Sequence, residues 1–172
     1  HRSIGLQIAY YNKDFNIGSD VEFTKGSLNE YQENESRFSF VKGLHYDYST
    51  TSFVGALYAQ KNNKLSENIT LDLGARAEFT KYDYDNNASV GRSGRFIRVA
   101  DRIDNFLTIT PKASLSYNFD NKNMIYFRAA RGSRAPQVSD LYSVQQNQVA
   151  GEAEIETLDS LELGFKGKNK YF

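Results

Sequence analysis

The sequence predicts an all-β protein whose strands form an antiparallel, up-and-down sheet. Apolar and polar residues alternate along six of seven strand-like runs, and the links between the runs alternate between short and long. Tyr and Phe contribute 12 residues each, whereas Pro contributes two. Alternation with period two gives a strand one apolar and one polar face. Aromatic residues favour strands, and proline is confined to strand ends and edges.

The first two predicted strands cover residues 2–12 and 15–24. A two-residue link, Lys13-Asp14, favours a tight turn between them. The apolar positions recur every second residue, at Ile4, Leu6, Ile8 and Tyr10 in the first strand and at Phe15, Ile17, Val21 and Phe23 in the second.

The third and fourth predicted strands cover residues 46–60 and 68–84. The third does not alternate cleanly, so its facing stays open. The fourth has the clearest pattern, with Ile69, Leu71, Leu73, Ala75, Ala77 and Phe79 on one face and Thr70, Asp72, Gly74, Arg76 and Glu78 on the other.

The last three predicted strands cover residues 105–119, 123–131 and 157–168. Pro111 removes one donor from the ladder of the first of these, which is tolerated near a strand end or edge. Tyr171-Phe172 is expected to begin another strand. The alternating apolar positions are Leu107, Ile109, Ala113, Leu115, Tyr117, Ile125, Phe127, Ala129, Leu161, Leu163 and Phe165.

The links place all short turns at one end of the sheet and all long loops at the other. Short links fall at residues 13–14, 61–67, 120–122 and 167–170, and long ones at 25–44, 90–104 and 132–156. Several runs are longer than the usual strand of about five or six residues. Long tilted strands, short turns at one end and long loops at the other are typical of a transmembrane outer-membrane β-barrel.

In a wide barrel the apolar face meets lipid and the polar face lines the lumen. The residues expected to face the lumen are Asp72, Arg76, Glu78, Lys112, Glu162 and Lys166. The aromatic residues expected to form girdles at the membrane interfaces are Tyr10, Tyr82, Tyr84, Tyr117 and Phe119.

Composition excludes several other classes. With 21 basic and 21 acidic side chains the formal net charge is zero, which argues against nucleic-acid binding. There is no Cys, and there are two His, His1 and His45. We therefore expect no enzymatic activity, no metal site and no cofactor.

Four motifs of the sequence resemble those of one known protein family. Residues 126–136, YFRAARGSRAP, are similar to the family's aromatic and R-G-F-R-A-P signature. Residues 107–117, LTITPKASLSY, are similar to its L-T-P-K-x-x-L-x-Y strand. Residues 57–76 resemble its Y-x-Q…G-x-R hairpin, and residues 158–166, LDSLELGFK, its E-L-G-x-K strand. Ser133 departs from the family, in which an aromatic is common at that position.

The family that these motifs resemble is that of TonB-dependent outer-membrane receptors. The resemblance implies that residues 1–172 are part of a receptor barrel domain, with seven or eight strands of a barrel of about 22. It implies a plug domain outside this chain, and the plug and the TonB system as partners. It also implies a bacterial outer-membrane location, amid lipid and lipopolysaccharide. The function it implies is energised uptake of a scarce, bulky ligand. A ferric siderophore is the leading candidate, and cobalamin, haem and glycans are other family cargoes.

Two long loops carry the candidate ligand-binding residues. Arginine forks suit oxyanions or a catecholate, and contact with lipopolysaccharide phosphates or a merely solvated loop are the alternatives. The polar residues of the second loop suit a polar ligand, or simply a mobile turn. The candidates are Arg92, Arg95, Phe96, Arg98 and Arg102 in the first loop, and Tyr142 and Gln145 in the second.

Two other functions are compatible with the pattern. A small, complete outer-membrane barrel with a structural or adhesion role would need an eighth strand within residues 31–43. The other is a soluble β-sandwich that binds carbohydrate through its long loops. It would have shorter strands, and its connections would not alternate between short and long.

Overall fold

A computed structural model describes residues 1–34, 36–38, 40–120, 122–149 and 151–167. The elements are β1 Arg2–Tyr11, β2 Phe15–Gln32, β3 Gly43–Lys64, β4 Ile69–Asn86, β5 Gly91–Ser93, β6 Phe96–Arg98, β7 Arg102–Asn118, β8 Asn123–Arg134, α1 Val138–Tyr142 and β9 Glu156–Gly167. Seven long strands form one antiparallel sheet in the order β1-β2-β3-β4-β7-β8-β9, while β5 and β6 form a small hairpin. Among the described residues, no helix is long and apolar enough to cross a membrane.

The strand register sorts the side chains into two continuous faces. Leu71 lies opposite Leu115, which lies opposite Phe127, so one apolar row crosses β4, β7 and β8. On the other side of the sheet, Arg76 lies opposite Tyr58 and is flanked by other polar residues. We call these the apolar face and the polar face. The alternation seen in the sequence therefore continues from strand to strand.

The facing of β3, which its sequence leaves open, follows from this register. Phe53 pairs with Phe23, and Leu57 pairs with Ala77, so both belong to the apolar face. Tyr58 and its even-numbered neighbours belong to the polar face. Small residues at Gly55, Ala56 and Ala59 had masked the alternation.

The apolar face is uncovered in the isolated sheet. Ile4, Leu161 and Leu163 are 73%, 77% and 74% exposed. Burying apolar surface is worth about 25 cal/mol per Å², so a face of this size requires an apolar environment or a partner. A β-sandwich would cover it with a second packed sheet, and the described strands form no such layer. The all-β antiparallel prediction is confirmed, and the sandwich alternative is wrong.

The alternation of short and long connections is also confirmed. The short links are residues 12–14, 65–68 and 119–122, and the long ones are 33–42, 87–101 and 135–155. β2 and β3 are longer than predicted because their backbones stay paired beyond Thr24, up to Gln32 opposite Gly43. The described part of residues 33–42 holds an isolated bridge, Arg37 to Phe40, and no eighth strand. The predicted link 167–170, beyond its first residue, and Tyr171-Phe172 lie outside the described residues.

The sheet divides at Pro111. β7 pairs with β4 over nearly its whole length, but its pairing with β8 runs only from Lys112 opposite Ala130 to Asn118 opposite Met124. Proline lacks the N–H that the next rung of this ladder would need. Beyond Pro111, β7 continues beside β4, and β8 continues beside β9. Pro111 therefore lies inside β7, at the point where the pairing of β7 with β8 ends and its pairing with β4 continues.

Ala113 and Ser114 are neighbours in β7 and lie on opposite faces, so they test the facing. A Lys at Ala113 should cost about 2–4 kcal/mol of folding free energy in lipid, because an ammonium group would enter the hydrocarbon. A Lys at Ser114, opposite Asp72 on the polar face, should cost far less. The measurement is the folded fraction in lipid vesicles during urea titration. Equal losses for the two variants would refute the assignment of the faces.

Candidate ligand-binding site

The buried core of the described residues lies where the polar face meets the long loops. Its strand residues, Tyr46 and Tyr48 on β3 and Tyr84 on β4, occupy even-numbered positions on that face. The rest come from the long loops folded over them. We call this group the loop cluster; its buried members are Tyr46, Tyr48, Tyr84, Phe96, Val99, Leu141, Tyr142 and Val144.

Two long loops are joined to each other by backbone pairing. The β5–β6 hairpin turns at Gly94, whose φ of 60° favours glycine. Phe96 then forms an antiparallel bridge with Gln145. The Ile97 N–H donates to the Val144 carbonyl at 2.9 Å, and the Gln146 N–H donates to the Arg95 carbonyl at 2.6 Å. The hairpin and the segment after α1 therefore form one unit.

Tyrosine side chains from the strands hold this unit, and the segment that contains α1, onto the sheet. Tyr46 donates to the Val144 carbonyl at 2.5 Å, and Tyr82 donates to the Pro136 carbonyl at 3.1 Å. Tyr84 stacks on Tyr142 with ring centroids 4.2 Å apart. A tyrosine suits this position because its ring packs in the cluster while its hydroxyl satisfies a loop carbonyl.

Asp104 on β7 connects the second loop to the start of its own strand. It accepts a hydrogen bond from the Tyr142 hydroxyl at 2.8 Å and two from Arg102, at 2.7 and 2.5 Å. Burial and the neighbouring Asp104 raise the pKa of Tyr142 well above its usual range. Burial likewise raises the pKa of Tyr46 and of Tyr84 to about 12. The three hydroxyls therefore stay protonated at neutral pH.

His45 on β3 packs against the β5–β6 hairpin. It is 2% exposed and stacks on Phe96 with ring centroids 3.8 Å apart. Its Nδ1 lies 3.1 Å from the Glu30 carboxylate and its Nε2 lies 2.7 Å from the Val41 carbonyl. Both partners are acceptors, so whichever ring nitrogen carries hydrogen can donate to the group beside it.

Three of the candidate ligand residues, the hairpin arginines Arg92, Arg95 and Arg98, have different surroundings. Arg95 donates to the Gln145 side chain and lies over the Phe40 ring, 4.9 Å from its centroid. Arg92 is exposed and donates to the Gly94 carbonyl at 2.7 Å. Within the described structure, the buried Nε of Arg98 has no hydrogen-bond partner.

Three further candidates, Phe96, Arg102 and Tyr142, have structural partners within the loops. Phe96 and Tyr142 are 2% and 0% exposed and pack inside the loop cluster. Arg102 is engaged by Asp104. A ligand contact by any of the three stays a prediction.

Sequence reasoning missed Asp104 and His45, and it placed two tyrosines wrongly. Tyr82 and Tyr84 were expected in an interfacial girdle, but they lie on the polar face under the loops. The signal was available, because both share the even-numbered face of Arg76 and Glu78. Tyr10 and Tyr117 do lie on the apolar face, opposite Ile17 and Ile69 respectively.

Nearer the short turns, the polar face is covered by hydrogen-bonded charged and polar side chains. Arg76 donates to Asp20 and to Glu78. Lys112 donates to Gln60 at 2.8 Å, and Tyr126 donates to Glu162 at 2.6 Å. The residues expected to face the lumen all belong to this face: Asp72, Arg76, Glu78, Lys112, Glu162 and Lys166. No group of three potential metal ligands occurs in the described part of the chain.

Replacing Arg76 by Met should destabilise the sheet, because Asp20 and Glu78 would face each other without their cation. These three side chains are 35%, 27% and 29% exposed, so solvent moderates the effect to about 1 kcal/mol. Adding Asp20→Asn should recover part of the loss. Urea unfolding of the single and double variants measures this, and fully additive losses would contradict the network.

Replacing Tyr142 by Phe should loosen the α1 loop without unfolding the strands. The lost hydrogen bond to a carboxylate should lower the local opening free energy by about 1–2 kcal/mol. Hydrogen exchange of residues 135–149 measures this. Tyr10→Phe, at a tyrosine that is 59% exposed, is the control. Unchanged exchange in Tyr142→Phe would show that the bond does not hold the loop.

The comparisons with known proteins agree with this geometry. Residues 2–172 match the family described as "TonB dependent receptor-like, beta-barrel". A search of curated proteins found no match. The matched family is one of outer-membrane transporters and not of enzymes. Since the match covers essentially the whole sequence, the chain belongs to the TonB-dependent receptor-like β-barrel family.

Proposed function

We propose that this chain forms part of the wall of a TonB-dependent outer-membrane receptor that imports a scarce, bulky ligand. The observation that carries the proposal is the position of the loop cluster. The long loops fold onto the polar face, so they cover the entrance to the space that this face would line. A ligand arriving from the loop side would meet these loops first.

The two faces fit a membrane wall. The apolar stretch of β4 begins at Ile69 and ends at Phe79. About ten residues at 3.3 Å each, tilted by about 40°, span about 25 Å, which is the height of the apolar band of an outer-membrane barrel. The apolar face then meets lipid, and Arg76 and its partners line a wet lumen. The edges of the described sheet, β1 and β9, would pair with further strands, because open edges are not tolerated in lipid.

The loops suit an anionic ligand. Arg92, Arg95 and Arg98 follow one another closely in a single hairpin, and guanidinium groups bind oxyanions by paired hydrogen bonds. A ferric siderophore, which presents oxygen donors and often net negative charge, is the ligand class we favour. Energy for its release would come from the TonB system acting on the plug, with no bond made or broken by this chain.

The test uses cells that carry the whole receptor and take up radioactive iron supplied as catecholate, hydroxamate or carboxylate siderophores. We expect uptake of at least one of these to depend on TonB. The triple variant R92S/R95S/R98S should reduce that uptake at least tenfold, with the receptor still present in the outer membrane.

The matched control is K13S/K61S/K122S, which removes three exposed cations near the short turns and should leave uptake within twofold. Absence of TonB-dependent uptake for every siderophore would refute the ligand class. An intact mass near 19.6 kDa for the native outer-membrane polypeptide would refute the larger receptor and favour a small adhesion barrel.

A further inference from the structure

Two glycines of the polar face lie beneath a large side chain from the neighbouring strand. Gly74 on β4 lies opposite Lys112 on β7, and Gly164 on β9 lies opposite Tyr126 on β8. A Cβ atom added at Gly74 would lie 2.6 Å from Lys112 Cε, and one added at Gly164 would lie 2.3 Å from Tyr126 Cζ. Non-bonded carbon atoms pack at about 3.5–4.0 Å, so only glycine fits beneath these side chains. We call Gly74 and Gly164 the covered glycines.

Three other glycines of the polar face show that this covering is specific to certain positions. Gly18 is also covered, by Tyr58 at 2.3 Å, but a Cβ there would lie 2.9 Å from the Ile8 carbonyl as well. Replacing Gly18 would therefore disturb the backbone in addition to the ring. At Gly5 and Gly132 the nearest heavy atom would be 3.4 and 4.0 Å away, so an alanine fits at either position.

The covering side chains lie along the sheet instead of projecting from it. Gln60, Gly74 and Lys112 form one row across β3, β4 and β7. Because strands are about 4.8 Å apart, the backbones of Gln60 and Lys112 are about 10 Å apart. Lys112 nevertheless donates to Gln60 at 2.8 Å, since its side chain crosses β4 where no side chain stands in the way. Tyr126 lies over its covered glycine, and its hydroxyl donates to Glu162 at 2.6 Å.

The residues of both arrangements come from the four motifs that resemble those of the family. They are Gln60 and Gly74 of the hairpin motif, Lys112 of the LTITPKASLSY strand, Tyr126 of YFRAARGSRAP, and Glu162 and Gly164 of LDSLELGFK. The motifs are separated in the chain, yet these residues meet on one face of the sheet. They therefore share a role on the side of the wall that carries the polar face.

We propose that Gly74 and Gly164 are positioning residues of the transport path, which hold Lys112 and Tyr126 flat on the wall. This part of the lumen then stays clear for a bulky ligand. The inference rests on the proposed function, because it takes the polar face as the lining of the lumen. A methyl group added at either glycine displaces the covering side chain from the strand and turns it towards the lumen.

The first test measures the position of Lys112 in the whole receptor, in isolated outer membranes. A small acetylating reagent modifies free amines, and peptide mass spectrometry gives the rate of modification at Lys112. Gly74→Ala should raise this rate at least threefold, because the displaced ammonium group loses its bond to Gln60. Gly5→Ala, at an open position of the same face, should leave the rate unchanged. No increase in Gly74→Ala, or an equal increase in both variants, overturns the proposal.

The second test measures uptake of iron supplied as a siderophore that the unaltered receptor imports. Gly164→Ala should lower the maximal rate at least fivefold, because the Tyr126 ring enters the path. The half-saturating concentration should stay within twofold, since the ligand first meets the loops. Gly132→Ala, at an open glycine of the same face, is the control and should leave both values within twofold. A normal maximal rate in Gly164→Ala overturns the proposal.

A double variant shows whether the displaced ring or the added methyl group is responsible. G164A/Y126S lacks the ring, so it should restore the maximal rate to within twofold of the unaltered receptor. No recovery would mean that Gly164 serves only the strand itself, and would overturn the proposal. If Gly164→Ala does not reach the outer membrane, Gly74→Ala and G74A/K112S replace the pair with the same expected results.

The two tests distinguish this inference from the proposed function. Modification of Lys112 needs no ligand, so it decides where the side chain lies even if the receptor imports none of the siderophores. Absence of all uptake by the unaltered receptor would refute the transport proposal and with it the transport role of the covered glycines. Normal uptake by both Gly74→Ala and Gly164→Ala would refute only the present inference.

Discussion

The two-residue period of the backbone ladder is the constraint on which the rest of this structure depends. Each strand must pair its N–H and C=O groups with both neighbours, and the register that does so decides which solvent every side chain meets. A slip of one residue would exchange the two faces. It would move Arg76 away from Asp20 and place it beside Leu57 and Ile109. The ion network and the apolar face therefore specify the same register from opposite sides.

The same period explains why the extensive core of the described residues lies on the polar face. In the described residues the apolar face has nothing packed on it, while the polar face carries loops whose carbonyl groups need donors. Tyr46 and Tyr82 supply those donors and bury their rings in doing so. Asp104 completes the arrangement by accepting from Tyr142. The loops are therefore held in place by side chains of the strands. A ligand that bound to the loops would alter contacts that begin on the sheet.

The faces and the connections could be predicted from the sequence because both depend on local patterns. Alternation in β4 and the lengths of the links needed no knowledge of distant residues. The loop cluster depends on contacts between residues far apart in the chain, such as Tyr46 with Val144, and no local pattern specifies these. Tyr84 carries two local signals that disagree. Its position near a strand end suggests a girdle residue, whereas its even-numbered position, like that of Glu78, assigns it to the polar face.

The outer part of β4 shows how one segment can serve two environments. Thr80, Tyr82 and Tyr84 point to the polar face, where they pack under or anchor the loops. Lys81, between them, points to the apolar face, where it lies opposite Phe53. The two sets share a backbone but no side-chain contact, because the pleat separates them. A change at Lys81 therefore acts on the apolar face and a change at Tyr82 acts on the loop contacts of the polar face, although the residues are adjacent in the chain.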